Sequence, residues 1–126
     1  MSHETPVVAI VDDDASVCTG VQRFLRSAGW CATTFTSGVE FLASLAAGAP
    51  DCVILDIVMP AMTGPEVLAQ MRARGIDLPV VFISAEERLD LEGVGPARGR
   101  VAFLSKPFDG DHLIALIQAG LASSAP

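Results

Sequence analysis

Long apolar runs are missing from this 126-residue chain, and none approaches the roughly 18 residues that a membrane span needs. Basic residues are scarce: eight stand against 15 acidic ones, for a net charge of −7. That balance argues against nucleic acid or an anionic membrane as the direct partner of the domain. Cysteine is limited to Cys18, Cys31 and Cys52, an odd set without Cys-x-x-Cys spacing. Neither a disulfide framework nor a zinc site is expected, and all three read as buried, small apolar residues in a reducing cytoplasm. The opening Met1-Ser-His-Glu-Thr-Pro6 lacks the basic region of a secretory signal, so a cytoplasmic location is expected. His3 and His112 are too far apart in sequence to read as a metal pair. Internal repeats and low-complexity stretches are absent. Hydrophobic residues make up 51% of the chain and charged residues 18%, which excludes intrinsic disorder. A chain of this length is expected to be one domain burying roughly two-thirds of its unfolded surface.

Short apolar runs alternate with amphipathic segments. Val7 to Val11 is a continuous, β-branched run suited to a strand covered on both faces. Val17, Val21, Phe24, Leu25 and Ala28 recur at helical spacing, with Gly29 as the stop. Trp30 to Phe35 reads as a second, more polar strand. Ser37 and Glu40 have capping-box spacing ahead of Phe41, Leu42 and Leu45. Cys52 to Leu55 is the third strand. Thr63 and Glu66 repeat the cap, with Pro65 in the first turn, ahead of Val67, Leu68 and Met71. Pro79 to Ser84 is the fourth strand and Val101 to Leu104 the fifth. A last helix starts near Asp109 and is expected to turn Leu113, Leu116, Ile117 and Leu121 inward. Between Glu86 and Arg100 the helical pattern is poor, broken by Gly93, Gly95 and Pro96, so the fourth helical segment is expected to be short or irregular. Residues 1–122 read as the domain and 123–126 as a tail or the start of a linker.

Five strands alternating with helical segments imply an α/β, doubly wound, five-stranded parallel sheet of order 2-1-3-4-5, with helices on both faces in the flavodoxin-like manner. Such folds place their sites beyond the carboxyl ends of the strands. Here those ends carry Asp12-Asp13-Asp14, Asp56, Ser84 and Lys106-Pro107. Crowded carboxylates at Asp12, Asp13 and Asp56 repel one another unless a cation sits among them, and a hard divalent ion such as Mg²⁺ suits oxygen ligands. With charge neutralised, a carboxylate can accept a phosphoryl group. Lys106, the sole lysine in the chain, is a compact point charge for Asp56 and a phosphoryl oxygen.

The pieces Val11-Asp12-Asp13-Asp14, Leu55-Asp56-Ile-Val-Met-Pro60 with Gly64, Phe82-Ile-Ser84-Ala85 and Phe103-Leu-Ser-Lys106-Pro107-Phe108 occur in one order along nearly the whole chain. In that set the chain resembles the receiver domain of bacterial two-component response regulators, including the chemotaxis regulator with the same strand order. The resemblance implies that Asp56 takes a phosphoryl group from a sensor histidine kinase or a histidine phosphotransfer protein. It implies Mg²⁺ held by Asp13, Asp56 and the backbone carbonyl of Val58, with Asp12 acting mainly through water. It further implies that Ser84 bonds the phosphoryl group, that Phe103 is an aromatic switch, and that Lys106-Pro107 is a cis peptide. Val58 and Glu86, two places after Asp56 and Ser84, would flank the attacking water and tune the lifetime of the phosphorylated state. Output would then come from a further C-terminal domain or a partner protein. The face around residues 86–100 departs from the pattern.

Two other classes fit parts of the set. A small Mg²⁺-dependent phosphatase of the haloacid dehalogenase type would use Asp12 as nucleophile with Asp14, Ser84, Lys106 and Asp109 or Asp111. It leaves the block from Leu55 to Pro60 without a task, and the chain has no room for a cap domain. A receiver-like binding module that is never phosphorylated is the other alternative, although every acid and Lys106 are present.

Overall fold

A computed structural model describes residues 5–85 and 101–122. Strands β1 (Val7–Val11), β2 (Cys31–Phe35), β3 (Cys52–Asp56), β4 (Val80–Ser84) and β5 (Val101–Ser105) form one all-parallel sheet in the order β2-β1-β3-β4-β5. Helices α1 (Ala15–Ser27), α2 (Gly38–Ser44), α3 (Gly64–Ala73) and α4 (Gly110–Ala122) lie in the connections and after the last strand. The expected doubly wound architecture is present.

The two faces hold separate cores. Ala9, Val11, Val53, Leu55, Val80 and Phe82 point to one side and meet Phe41, Val67 and Met71 of α2 and α3. Their neighbours Val8, Ile10, Ile54, Val81, Ile83 and Leu104 point to the other and meet Val21 and Leu25 of α1 and Leu113 and Ile117 of α4. This period-two split explains why β1, β3 and β4 read as continuous apolar runs: each residue has a helix to face on either side.

Local signals set the helix ends. Gly29 and Gly75, with φ of 91° and 75°, follow α1 and α3 in the left-handed region that glycine enters without penalty. Thr63 and Glu66 form a full capping box, each side chain bonding the other's backbone amide. At α2 only half of that arrangement forms: Ser37 Oγ accepts the Glu40 amide at 3.1 Å, while Glu40 turns to the hydroxyls of Thr36 and Ser37. That helix tightens into a 3-10 turn over Leu45–Ala47.

Three expectations need correction. Cys18 and Cys52 are buried, but Cys31 is exposed, because it opens the outermost strand with its side chain turned to solvent. Leu116 and Leu121 are only half-buried; Gly120 takes the inward place on the last turn of α4. The second strand begins at Cys31 rather than Trp30, and Pro79 precedes the fourth. The expectations for the segment from Glu86 to Arg100 and for the 123–126 tail fall outside the described residues, as does His3.

Candidate functional site

At the carboxyl ends of the strands the polar residues singled out from sequence come together. Carboxylate oxygens of Asp12, Asp13 and Asp56 all lie within 4.8 Å of one another. Asp12, immediately after β1, is fully buried; Asp56, the last residue of β3, is 5% exposed; Ser84, ending β4, is 2% exposed. These are the only buried polar or charged side chains among the described residues. Lys106 reaches across from the segment after β5, its Nζ 2.8 Å from Asp12 Oδ2 and 3.7 Å from Asp56 Oδ1. The Lys106-Pro107 peptide is cis, and the Lys106 amide donates to the Ser84 carbonyl at 2.7 Å.

The three consecutive aspartates do three different things. Asp12 points inward and its two oxygens are both engaged, Oδ2 by Lys106 and Oδ1 by the Asp14 amide at 2.9 Å. Asp13 is exposed at the mouth. Asp14 turns away and caps α1, its Oδ1 accepting from the Ser16 amide at 2.9 Å and the Ser16 hydroxyl at 2.6 Å. In sequence Asp14 has a task only in the phosphatase alternative, beside Asp12, and its place as a helix cap is not anticipated. An Asp-x-Ser ahead of a helical pattern is the signal that identifies it.

Close packing holds β3 and its loop beneath the acids. The Gly64 amide donates to the Ile57 carbonyl at 2.9 Å. A methyl group on Gly64 would run into the Asp56 carbonyl oxygen and press on the Phe82 ring, so glycine is what lets α3 start this near the site. Between them, Ala61 adopts φ 68° and the Met62 amide closes onto the Pro60 carbonyl at 2.7 Å, a tight turn rarely taken by a residue with a Cβ. Val58 stands out from this loop, 58% exposed.

Electrostatics follow from burial and crowding. Burial, with the Asp12 and Asp13 carboxylates nearby, pushes Asp56 up to about 7 against the pull of Lys106. Lys106 also titrates above its usual value: burial works against its charge, but the bond to Asp12 and the charges of Asp12, Asp56 and Asp14 outweigh it. Asp14 is held below the usual carboxylate range by its hydrogen bonds from Ser16. One ammonium among three close carboxylates leaves an excess of negative charge, and the oxygens converge, so the donor set fits a hard divalent cation.

Phe103 is not in the acid pocket. It lies half-buried on the α2–α3 side of β5, stacked on Phe82 with ring centroids 5.4 Å apart and planes 14° off parallel. Glu86 lies outside the described residues. Beside the pocket, an apolar groove of about 600 Å³ runs between α1 and α4, walled by Val17, Phe24, Pro107, Phe108 and Leu113 and reaching Lys106. None of the described helices is long and apolar enough to cross a membrane.

The chain is similar to known proteins in sequence and in fold. The chain is 39% identical over 116 residues to the DNA-binding transcriptional regulator NtrC of Salmonella typhimurium, covering 92% of this chain and 25% of that protein. It is 34% identical over 119 residues to the response regulator MprA of a Mycobacterium species, covering 94% of this chain and 52% of that one. The chain thus spans from a quarter to half the length of these curated relatives. Among solved structures, a response regulator receiver protein from Burkholderia phymatum superposes with a TM-score of 0.79 at 43% identity, covering 97% of this chain and 99% of that one. The chemotaxis protein CheY4 of Vibrio cholerae gives 0.81 at 30% identity, covering 91% and 98%. The family profile of the response regulator receiver domain matches residues 8–118, a span that runs from β1 into α4 and carries every acid of the pocket together with Lys106. The chain belongs to that family.

Proposed function

We propose that the domain, taken as residues 1–122, is a phosphorylation-dependent switch whose phosphoacceptor is Asp56. The observation that carries this is a carboxylate at the end of β3, almost fully buried, facing Lys106 on one side and two further acids on the other. Asp13, Asp56 and the carbonyl of Val58 would hold Mg²⁺, with Asp12 contributing through water. When bound, the ion supplies charge neutralisation for an incoming phosphoryl group. One Asp56 oxygen then attacks phosphorus as the P–N bond of a phosphohistidine breaks and the electron pair returns to the imidazole. Lys106 is near enough to exchange part of its bond to Asp12 for a phosphoryl oxygen, and Ser84 would donate its hydroxyl to another. Return to the resting state is slow attack by water on phosphorus, cleaving the P–O bond to Asp56 and releasing phosphate.

The donor is a sensor histidine kinase or a histidine phosphotransfer protein, and its apolar helical surface would rest in the groove that shares Lys106 with the pocket. Coupling runs through Ser84 and the Phe82–Phe103 stack to the surface of β4 and β5, read by a C-terminal output domain or a partner protein in the cytoplasm. Val58 and Glu86 would set the lifetime. Against the phosphatase alternative, Asp12 has both oxygens engaged and is poorly placed as a nucleophile.

Incubation with acetyl phosphate and Mg²⁺ should add one phosphoryl group per chain in the wild type and none in Asp56→Asn, whose amide is neither anionic nor nucleophilic. Full labelling of the variant, read by intact mass, would sink the assignment. Asp13→Ala should weaken Mg²⁺ binding by more than about tenfold, the lower range seen even for residues that act on a metal indirectly. An unchanged affinity by calorimetric titration would remove Asp13 from the ligand set.

A further inference from the structure

We propose that Asp14 is a positioning residue of the pocket: by capping α1 it fixes its own amide on Asp12, and through Asp12 it holds Lys106 in place. The chain of contacts is continuous. The Ser16 amide and hydroxyl donate to Asp14 Oδ1. The Asp14 amide donates to Asp12 Oδ1 at 2.9 Å, and Asp12 Oδ2 accepts from Lys106 Nζ at 2.8 Å. Residue 14 sits at φ −89° and ψ 107°, the extended conformation of an N-cap, while its carbonyl already accepts the Val17 and Cys18 amides.

The cap therefore has an effect beyond the helix. A side chain that bonds the Ser16 amide ties residue 14 to the first turn of α1, and this sets where its own N–H points. That N–H fixes one oxygen of a fully buried carboxylate. Among the described residues, Cys18 Sγ bonds the Asp12 backbone carbonyl at 3.3 Å, not its side chain. With Oδ1 pinned, Oδ2 presents a fixed acceptor to Lys106, and Asp13, between the two anchored residues, is left facing the cluster. Loss of the cap frees the Asp12 carboxylate to rotate and the loop carrying Asp13 to shift. The charge of Asp14 acts on Lys106 less than those of Asp12 and Asp56, and its carboxylate turns to Ser16 and is not among the converging acids, so the cap is the larger part of its effect. The inference rests on the receiver reading for the reaction it serves, but its geometric claim concerns the domain before any phosphoryl group arrives.

The test separates cap from charge. Asp14→Asn and Asp14→Ser keep an acceptor suited to an N-cap and remove the charge; Asp14→Ala removes both. Lys106 is the only lysine in the chain, so its ammonium gives a single assignable resonance. In metal-free protein that resonance should keep its wild-type position and slow solvent exchange in Asn and Ser, and should move toward free lysine in Ala. Mg²⁺ affinity should follow: near the wild-type value in Asn and Ser, and roughly tenfold weaker in Ala, as for residues that orient metal ligands. Two outcomes overturn the proposal: equal weakening in all three variants, which assigns the effect to charge, or a lowered melting temperature in Ala with the Lys106 signal and Mg²⁺ affinity unmoved. Should Ala fail to fold, the Asn and Ser variants decide alone, and a shifted Lys106 signal in both overturns it. If instead wild type takes no label at Asp56, the receiver reading fails while the Lys106 signal still judges the positioning claim.

Discussion

Ile10, Ile54 and Val81 in the middle of the sheet are sealed beneath helices, and two or three residues further along the chain Asp12, Asp56 and Ser84 are buried almost as completely. The first set is what burial favours, each side chain giving roughly 1.5–3 kcal/mol by leaving water. The second set is what burial penalises. Since these three are the only buried polar or charged side chains among the described residues, the fold concentrates its unfavourable burial at one end of the strands. The apolar midsection supplies the stability that offsets this penalty, and the crowded carboxylates of the acid end fit a cation. Places where local chemistry contradicts burial are where function is expected.

The comparison is broken most sharply by altering one position of each kind. Ile54→Ala should lower stability by roughly 2–5 kcal/mol, while the fraction that remains folded accepts phosphate as before; a folded variant that cannot be labelled would mean the two regions are not separable. Asp56 behaves in the opposite way. Its carboxyl, raised from 3.8 to about 7 by burial and the neighbouring acids, binds its proton more tightly in the fold than in the unfolded chain. Between those values the native state holds more protons, so stability in EDTA should fall as pH rises through that window and level off above it. The fall from this group is roughly 2–4 kcal/mol. Asp56→Asn should remove that part of the slope, and Mg²⁺ should restore stability above pH 7 in the wild type only. Parallel pH profiles for the two proteins, measured by denaturant melts, would mean that Asp56 ionises without a burial penalty.

A smaller effect tests how the acid end communicates. Ser84→Ala should leave Mg²⁺ binding largely intact yet uncouple phosphorylation from the conformational response. On the proposed reading the hydroxyl would donate to a phosphoryl oxygen once one is present, and a charge-assisted hydrogen bond contributes about 1.5–3 kcal/mol. That biases a two-state element without fully switching it. Backbone amide shifts on β5 and the Phe82–Phe103 stack are the readout. Equal responses to phosphorylation in variant and wild type would remove Ser84 from the coupling path.

The sheet was legible because β1, β3 and β4 face helices on both sides, so their residues form unbroken apolar runs with turn residues at each end. Their carboxyl ends were legible for the same reason: an acid directly after such a run stands out. What could not be read was direction. Asp12, Asp13 and Asp14 look alike in sequence, and only the backbone turn into α1 sends one inward, one to the mouth and one onto a helix end. Cys31 was misjudged because the exposed flank of an outermost strand depends on sheet order, not on residue type. Likewise the α1–α4 groove depends on Phe24 lying against Gly110, where a methyl group would enter its ring. That contact joins residues far apart in the chain and leaves no local signal.

The smallest effect concerns the rim rather than the floor of the acid end. Val58 is two residues past Asp56 and 58% exposed, an apolar side chain in water beside a polar site, where its burial contributes little to the fold. On the proposed reading its consequence would be kinetic. Hydrolysis of an aspartyl phosphate needs a water held in line with the bond that breaks, and positioning supplies most of the catalysis in phosphoryl transfer. Valine neither donates nor accepts a hydrogen bond, and its branched body narrows the approach. Val58→Asn offers an amide that can hold that water while leaving Asp56, Lys106 and the core untouched. Dephosphorylation should quicken about tenfold, equivalent to about 1.4 kcal/mol off the barrier, with stability and Mg²⁺ affinity unchanged. Loss of label after removal of the donor, at constant Mg²⁺, measures it directly. A variant that decays no faster than wild type would show that water reaches the phosphoryl group by a route Val58 does not border.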